Sequence, residues 1–357
     1  MKKKLIYGIQ QIGVGTDDAY NAYEWYASTL GSSVIVFEDQ NEATFMAPYM
    51  GGMPHKKRAI LTMNPLGGSG YELWQYTDRT PKAPKSPVII GDIGINAALV
   101  KSNNIEKSYE KLKNKGITLL SAIHEEPDGV KSFYIEDQNC NMLKIKEYNS
   151  WYSKTGLDTG GPFGCVIGVK DIDKSLKFYS DILEYDQIIY DKTGVFPDLY
   201  DLNEGIGNYR RVLLSYYNKR QGGFSNLLGK SQIELIQCLE ADTPRKKIFE
   251  NRFWGDIGFI HLAFDVRNLD LLVQECKDKG YPFKVLSDGS FDMGKAAGYW
   301  GYIEDPDGTL IEFVETHKVP IIKWLNLNIN LLKREPKQPL PGWMINAMLN
   351  KKTEITE

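Results

Sequence analysis

The sequence predicts an α+β fold built from four βαβββ modules, and three observations carry that expectation. Segments recur: AYEWYASTLG near the start reads like KFYSDILEY further on, and each helix pattern contains an aromatic–Tyr pair, Trp25-Tyr26 and Phe178-Tyr179. A second pair matches more closely. IEKSYEKLKNKGI from Ile105 resembles LDLLVQECKDKGY from Leu269, and FYIEDQNCNMLKIKEY resembles GYIEDPDGTLIEFVET. The order of pieces is therefore A, B, A′, B′. Lastly, every piece shares one grammar: an alternating strand, a helix pattern with apolar residues at i, i+3 and i+4, then strands separated by Gly, Asp, Asn and Pro turns.

The modules fall near residues 6–78, 91–149, 161–240 and 257–317. A chain of 357 residues suggests two domains rather than one simple core. The polar, Gly-rich stretch NSWYSKTGLDTGG marks the boundary, giving a first pair of modules in 1–150 and a second pair in 151–317. After Thr316 the pattern stops. The remaining 318–357, which opens KVPIIKWLNLNINLLKREPKQPLPGWMINAML, mixes aromatic and aliphatic residues around a Pro-rich break and is expected to pack on the body.

Hydrophobic content of 42% and charged content of 25% are those of a globular protein. A net charge of -3, with no Lys/Arg stripe interleaved with aromatics, argues against a nucleic-acid partner. The opening MKKKLIYGIQQ has basic residues but no long apolar run, so neither a signal peptide nor a membrane span is expected, and a cytoplasmic location is. Cys140, Cys165, Cys238 and Cys276 form no CxxC pair and read as reduced, mostly buried thiols. GGSG at Gly67 to Gly70 lacks the Lys-Ser/Thr of a phosphate loop, EDPDG has too few acids for a calcium loop, and no GxSxG elbow is present. The expected partner is a small-molecule substrate, with a homo-oligomer left open.

Four strand-borne residues carry the chemistry: Gln11, Glu72, His261 and Glu312. An amide, an imidazole and two carboxylates can surround one divalent cation. A buried carboxylate without a partner costs several kcal/mol, and such a cation relieves two at once. Mixed oxygen and nitrogen donors suit Zn, Ni, Co, Mn or Fe(II). Strand alternation places His261, Ala263 and Asp265 on one small, polar face, and Ile260, Leu262, Phe264 and Val266 on the face that packs on helices. Gln11 shares its face with Gly13 and Gly15, which leave space beside the amide. Glu72 shares its face with Trp74 and Tyr76, an aromatic wall for a partly apolar ligand. Asp265 is a further pocket candidate. The other histidines, His55, His124 and His317, fall in loops or the tail.

QIGVGTDDAYNAYEWY and EDPDGTLIEFVE resemble the opening strand–helix and the closing hairpin of the vicinal oxygen chelate (glyoxalase/bleomycin resistance/extradiol dioxygenase) superfamily, glyoxalase I-like. The resemblance covers residues 6–317. It implies two cupped mixed-sheet barrels and up to two metal ligands per module. These are Gln11 and Glu72 in module one, about Asn96 and Lys144 in module two, Gly164 and Glu234 in module three, and His261 and Glu312 in module four. Protonated lysine is a poor ligand and glycine offers none, so modules two and three look degenerate. The Gln/Glu/His/Glu set is that of Gln-containing glyoxalase I enzymes and requires modules one and four to share a barrel. If three and four pair instead, Glu234, His261 and Glu312 remain, and if two and three pair, Lys144 meets Glu234. The implied activity is that of a metal-dependent isomerase or lyase. A proton moves next to the carbonyl of a small chelating substrate through a metal-stabilised enediolate, with Glu312, then Glu72, as base. An epimerase fits the same chemistry. The alternatives are a non-catalytic small-molecule (drug) binding protein and an Fe(II) ring-cleaving dioxygenase.

Overall fold

The computed structural model describes residues 3–154, 156–240, 245–287, 291–292, 297–322 and 327–349. Module one comprises β1 (Leu5–Thr16), α1 (Ala19–Leu30), β2 (Val34–Glu42), β3 (Lys56–Met63) and β4 (Gly70–Tyr76). Module two comprises β5 (Gly94–Ser102), α2 (Ile105–Asn114), β6 (His124–Glu125), β7 (Lys131–Glu136) and β8 (Met142–Glu147). Module three runs β9 (Thr159–Gly168), α3 (Ile172–Asp181), β10 (Gln187–Gly194), β11 (Tyr209–Ser215), the short α4 (Ser225–Leu228) and β12 (Gln232–Cys238). Module four runs β13 (Gly258–Arg267), α5 (Leu269–Asp278), β14 (Val285–Leu286), β15 (Phe291–Asp292), β16 (Ala297–Glu304) and β17 (Leu310–Ile322). Among the described residues, no helix is long and apolar enough to cross a membrane.

The Asp and Asn residues in the turns after the first three opening strands are helix caps. Asp18 accepts from the Tyr20 and Asn21 amides, Asn104 from Lys107 and Asp171 from Lys174. Each satisfies N–H groups that the first turn leaves without partners. Module four departs from this pattern, because Asn268 is left-handed and the Glu315 side chain takes the Asn268 and Leu269 amides instead.

The strands form two curled mixed sheets. The first has the order β14-β16-β17-β13-β1-β4-β3-β2 and the second β10-β11-β12-β9-β5-β8-β7-β6. Each sheet is thus assembled from both halves of the chain: modules one and four share one, modules two and three the other. The joints are antiparallel, β1 to β13 and β5 to β9. The convex faces and helices fill a common core, with Ile12, Leu73, Leu262 and Phe264 from one sheet and Ala98, Ile145, Cys165 and Leu235 from the other. Two phenols cross between the sheets. Tyr26 donates to Asp137 (2.8 Å), and Tyr179, its counterpart in the repeat, donates to Asp305 (3.0 Å).

The strand pattern does not stop at Thr316. β17 continues to Ile322, and β18 (Leu327–Asn330) pairs back onto it, Lys318 opposite Asn330. α6 (Gly342–Leu349) sets Ile345 and Leu349 against Val34, Met63, Leu227 and Leu228. The thiols are less uniformly buried than expected. Cys165 and Cys276 are buried, but Cys140 is exposed in a turn at a φ of 61°.

The interior of the second sheet is ionic. Lys144 donates to Glu234 (2.8 Å) and Glu126 (3.0 Å), and Arg211 binds Glu234 (2.7 Å) and Asp198 (2.8 Å). Tyr190 adds a third donor to Glu234 (2.8 Å). Burial alone would raise the Glu234 carboxyl, but Arg211 and Lys144 hold it far below the usual carboxylate range. Asn96 is not in this interior. Its amide is spent on the Gly91 amide and the Asp92 and Gly94 carbonyls. The register break between Ile95 and Ala97 makes Ala97 the residue that matches His261 in the first sheet. Removing one member of a closed buried network strands the others. Glu234→Ala is expected to cost about 3–5 kcal/mol of stability, with Glu234→Gln between it and the parent, read by chemical denaturation.

Candidate metal centre

Register creates the site. Gly13 on β1 faces Glu72 on β4 and His261 on β13. Ala263 on β13 faces Gln11 on β1 and Glu312 on β17. Two cross-strand rows result, Glu72–Gly13–His261 and Gln11–Ala263–Glu312. They lie two residues apart and so share one face. In each row the middle residue is small, and the outer side chains lean in over it. The need is strict at Gly13, where a Cβ would lie 2.4 Å from His261 Cε1. At Gly15 the expected open space is taken by backbone, since a Cβ there would lie 2.0 Å from the Asp256 carbonyl oxygen.

The donors converge. His261 Nε2 lies 3.2 Å from Glu312 Oε2 and 3.4 Å from Glu72 Oε2, and Gln11 Nε2 donates to Glu312 Oε2 at 3.3 Å. One donor atom each of Glu72, His261 and Glu312 lies within 4.8 Å of the others. His261 is fully buried, and neither of its ring nitrogens has a hydrogen-bond partner. Burial pushes the Glu72 carboxyl up to about 7, with Glu312 adding to the shift and His261 opposing it. Burial works against a charged His261, but the Glu312 and Glu72 carboxylates outweigh it and raise the imidazole.

These features fit a divalent cation. An orphaned buried imidazole, two crowded carboxylates and an amide that offers its oxygen after a half-turn are what such an ion would satisfy. Gln11, Glu72, His261 and Glu312 would hold it, and their oxygen and nitrogen donors suit Zn, Ni, Co, Mn or Fe(II) alike.

Gln11, Glu72 and Glu312 open onto a cleft of about 260 Å³, whose wall includes Trp74. Two expected pocket residues lie elsewhere. Tyr76 is buried beneath Trp74, ring to ring at 4.6 Å, and its hydroxyl donates to the Trp254 carbonyl. Asp265 shares the His261 face but sits one step past Ala263. It lines a separate small cavity with Tyr7, Arg267 and Arg334. Burial, and after it Glu315, raises its carboxyl well above the usual range.

Four lining residues escape sequence reasoning in different ways. Trp300 and Tyr302 stand opposite Val314 and Glu312, and their alternation in GYWGYIED marks them as inward-facing. Gln10 joins Gln11 in the cleft because a bulge between Ile9 and Gln11 breaks the alternation. Trp254, in the loop before β13, stacks on His261 at 6.0 Å, and no periodicity announces it.

The sequence profile of the Glyoxalase/Bleomycin resistance protein/Dioxygenase superfamily matches residues 8–145 and again 163–313. The chain belongs to this superfamily. It is similar to a lactoylglutathione lyase of Schizosaccharomyces pombe, 27% identical over 203 residues, a match spanning 53% of this chain and 59% of that protein. In structure it is similar to glyoxalase I of Zea mays, with a TM-score of 0.55 and 14% identity over 88% of this chain and 92% of that one. The superfamily fold accounts for the paired sheets.

The donor geometry makes a direct prediction. Gly13→Ala should push the imidazole away and weaken binding of a divalent cation by roughly 10–100-fold. Titration calorimetry reads the loss, and an unchanged far-UV CD spectrum shows that the sheets survive.

Proposed function

We propose that this protein is a metal-dependent lyase or isomerase of the glyoxalase I-like type, which moves a proton next to the carbonyl of a small chelating substrate. The observation that carries the reading is the convergence of Gln11, Glu72, His261 and Glu312, with both carboxylates close to an imidazole whose nitrogens make no aligned hydrogen bond. A bound divalent cation would supply Lewis acidity toward two vicinal substrate oxygens.

The chain's own residues do the rest. Glu312 opens onto the cleft and takes the substrate proton as base. Glu72, across the cluster, is the second carboxylate able to exchange it. General base catalysis of this kind contributes about 10²–10⁴-fold. The Tyr302 phenol also lines the cleft. Burial, then the Glu312 and Glu72 charges, keep it protonated, so it is a fixed donor beside the base. Trp74 and Trp254 line this end of the cleft against water, and Trp254, backed by Trp74, fixes the His261 ring from one side.

The glutathione adduct is not the substrate this site favours. Glutathione-dependent members hold the tripeptide with an Arg a few residues past the first ligand and an Asn past the first Glu. Here those places fall on Gly15, against the Asp256 backbone, and on the buried Tyr76. A hydroxy-carbonyl compound without the tripeptide fits better. A ring-cleaving Fe(II) site needs two imidazoles and a carboxylate, whereas the described cluster holds one imidazole.

Two variants test the reading. His261→Ala should bring metal content from one equivalent to near none by elemental analysis of protein purified without chelator. Glu312→Gln should keep much of the metal and lose about 10²–10⁴-fold in kcat. Full metal occupancy in the first, or near-normal turnover in the second, would refute the ligand or base assignment respectively.

A further inference from the structure

The cleft outside the four donors has a chemistry of its own. Aromatic rings line it without a break. Phe45, 41% exposed at the rim, meets Trp300 at 5.7 Å, and Trp300 meets Tyr302 at 5.6 Å. Tyr302 meets Trp254 at 6.0 Å, and Trp254 meets Trp74 at 4.7 Å. Each contact is edge to face, so the run turns ring by ring from solvent to the imidazole beneath Trp254. Flat apolar guests are held well by such walls.

Charge points the same way. Among the described lining residues Lys57 is the one cation, and its ammonium is 2.7 Å from the Asp39 carboxylate. Glu42 adds a second acid at the rim. Setting aside Glu72 and Glu312 as ligands, the lining carries one positive and two negative groups. An anionic tail would meet no free cation and one unpaired acid. The neutral polar groups present, Gln10, Asn41 and Thr44, can bond an uncharged guest.

From these observations we infer the substrate class: an uncharged aromatic compound whose ring lies along the Phe45–Trp300–Tyr302 wall and whose two vicinal oxygens reach the donor cluster. An aryl-substituted hydroxy ketone or keto aldehyde answers this description. A thiol adduct of an anionic tripeptide does not. The inference rests on the proposed metal site for the position of the oxygens, whereas the placement of the ring rests on the aromatic wall.

Hydroxamates chelate through two vicinal oxygens and differ only in the group they carry, so they separate the two claims. Metal-loaded full-length protein is titrated by calorimetry with benzohydroxamic acid, acetohydroxamic acid and glutathione bearing the same head on its sulfur. Benzohydroxamic acid should bind roughly ten- to a hundredfold tighter than acetohydroxamic acid, as burial of a phenyl group requires. The glutathione adduct should bind no better than acetohydroxamic acid. Trp300→Ala should bring the two simple hydroxamates to near parity while metal content stays unchanged. Phe45→Ala, at an exposed position that tolerates truncation, should reduce the preference in part. Equal binding of aryl and methyl compounds, or tighter binding of the glutathione adduct, would overturn the substrate class and leave the metal site standing. Should the protein retain no metal, the proposed function fails separately. Quenching of tryptophan fluorescence by 2-naphthol then decides: saturable quenching lost in Trp300→Ala supports the aromatic wall, and no saturable quenching overturns it.

Discussion

The antiparallel pairing of β1 with β13 is the contact on which the site depends. It joins the first strand of the first module to the first strand of the last, across all of modules two and three. Without it Gln11 and Glu72 would belong to one sheet and His261 and Glu312 to another. With it, two small residues, Gly13 and Ala263, become the centres of two donor rows. The donors themselves are ordinary for a strand. Their placement over residues too small to fill the space turns four polar side chains into one cluster.

The second sheet repeats this geometry with a different solution to the same electrostatic problem. Gly13 is to Glu72 as Val166 is to Glu234, and Ala263 is to Glu312 as Leu99 is to Lys144. An inward carboxylate must be neutralised or protonated. Around Glu234 the neutralising charges are covalently part of the chain, Lys144 and Arg211, and the carboxyl stays ionised. Around Glu72 the strongest basic influence is an imidazole shared with Glu312, the weaker Lys57 being paired with Asp39, and burial lifts the carboxyl to about 7. With Lys146 also on Glu126, the three buried cations Lys144, Lys146 and Arg211 match Glu126, Asp198 and Glu234, whereas the first cluster sets two carboxylates against one imidazole. That contrast makes a cation the natural partner of the first sheet and leaves no need for one in the second.

Much of this was legible in the sequence. The repeat of aromatic–Tyr helix and EDxx hairpin defined four modules, and matching positions across them singled out Gln11, Glu72, His261 and Glu312. The exchange of charge at Lys144 signalled its pairing with Glu234 once modules two and three were joined. What the sequence could not carry is register. A bulge brings Gln10 beside Gln11, a register break swaps Asn96 for Ala97, and two residues of strand carry Asp265 out of the cleft that its alternation suggested. Period-2 reasoning assigns faces but not the distance along a strand at which a cavity ends. Trp254 lies beyond any such reasoning, because a loop residue finds its place only after the strands it crosses are set. The continuation of β17 past Thr316 was hidden for a related reason, since its partner β18 comes from the segment with no counterpart in the repeat.

The duplicated architecture ties the sheet with the ionic interior to the sheet with the open cleft. Tyr26 of module one reaches Asp137 of module two, and Tyr179 of module three reaches Asp305 of module four, so each sheet donates one buried phenol to a turn of the other. Those turns are tight hydrogen-bonded loops. Asp137 also accepts from the Asn139 and Asn141 amides, and Asp305 from Asp307 and Thr309. The Asp305 turn joins β16 to β17, the strands that present Trp300, Tyr302 and Glu312 to the cleft. A phenol from the ionic sheet therefore anchors the hairpin that carries Glu312 and the aromatic wall. Sites of this kind demand placement within a fraction of an ångström. The second sheet holds that hairpin from behind through the Tyr179 phenol on Asp305, and its own interior is fixed by the ion pairs of Lys144 and Arg211 with Glu234.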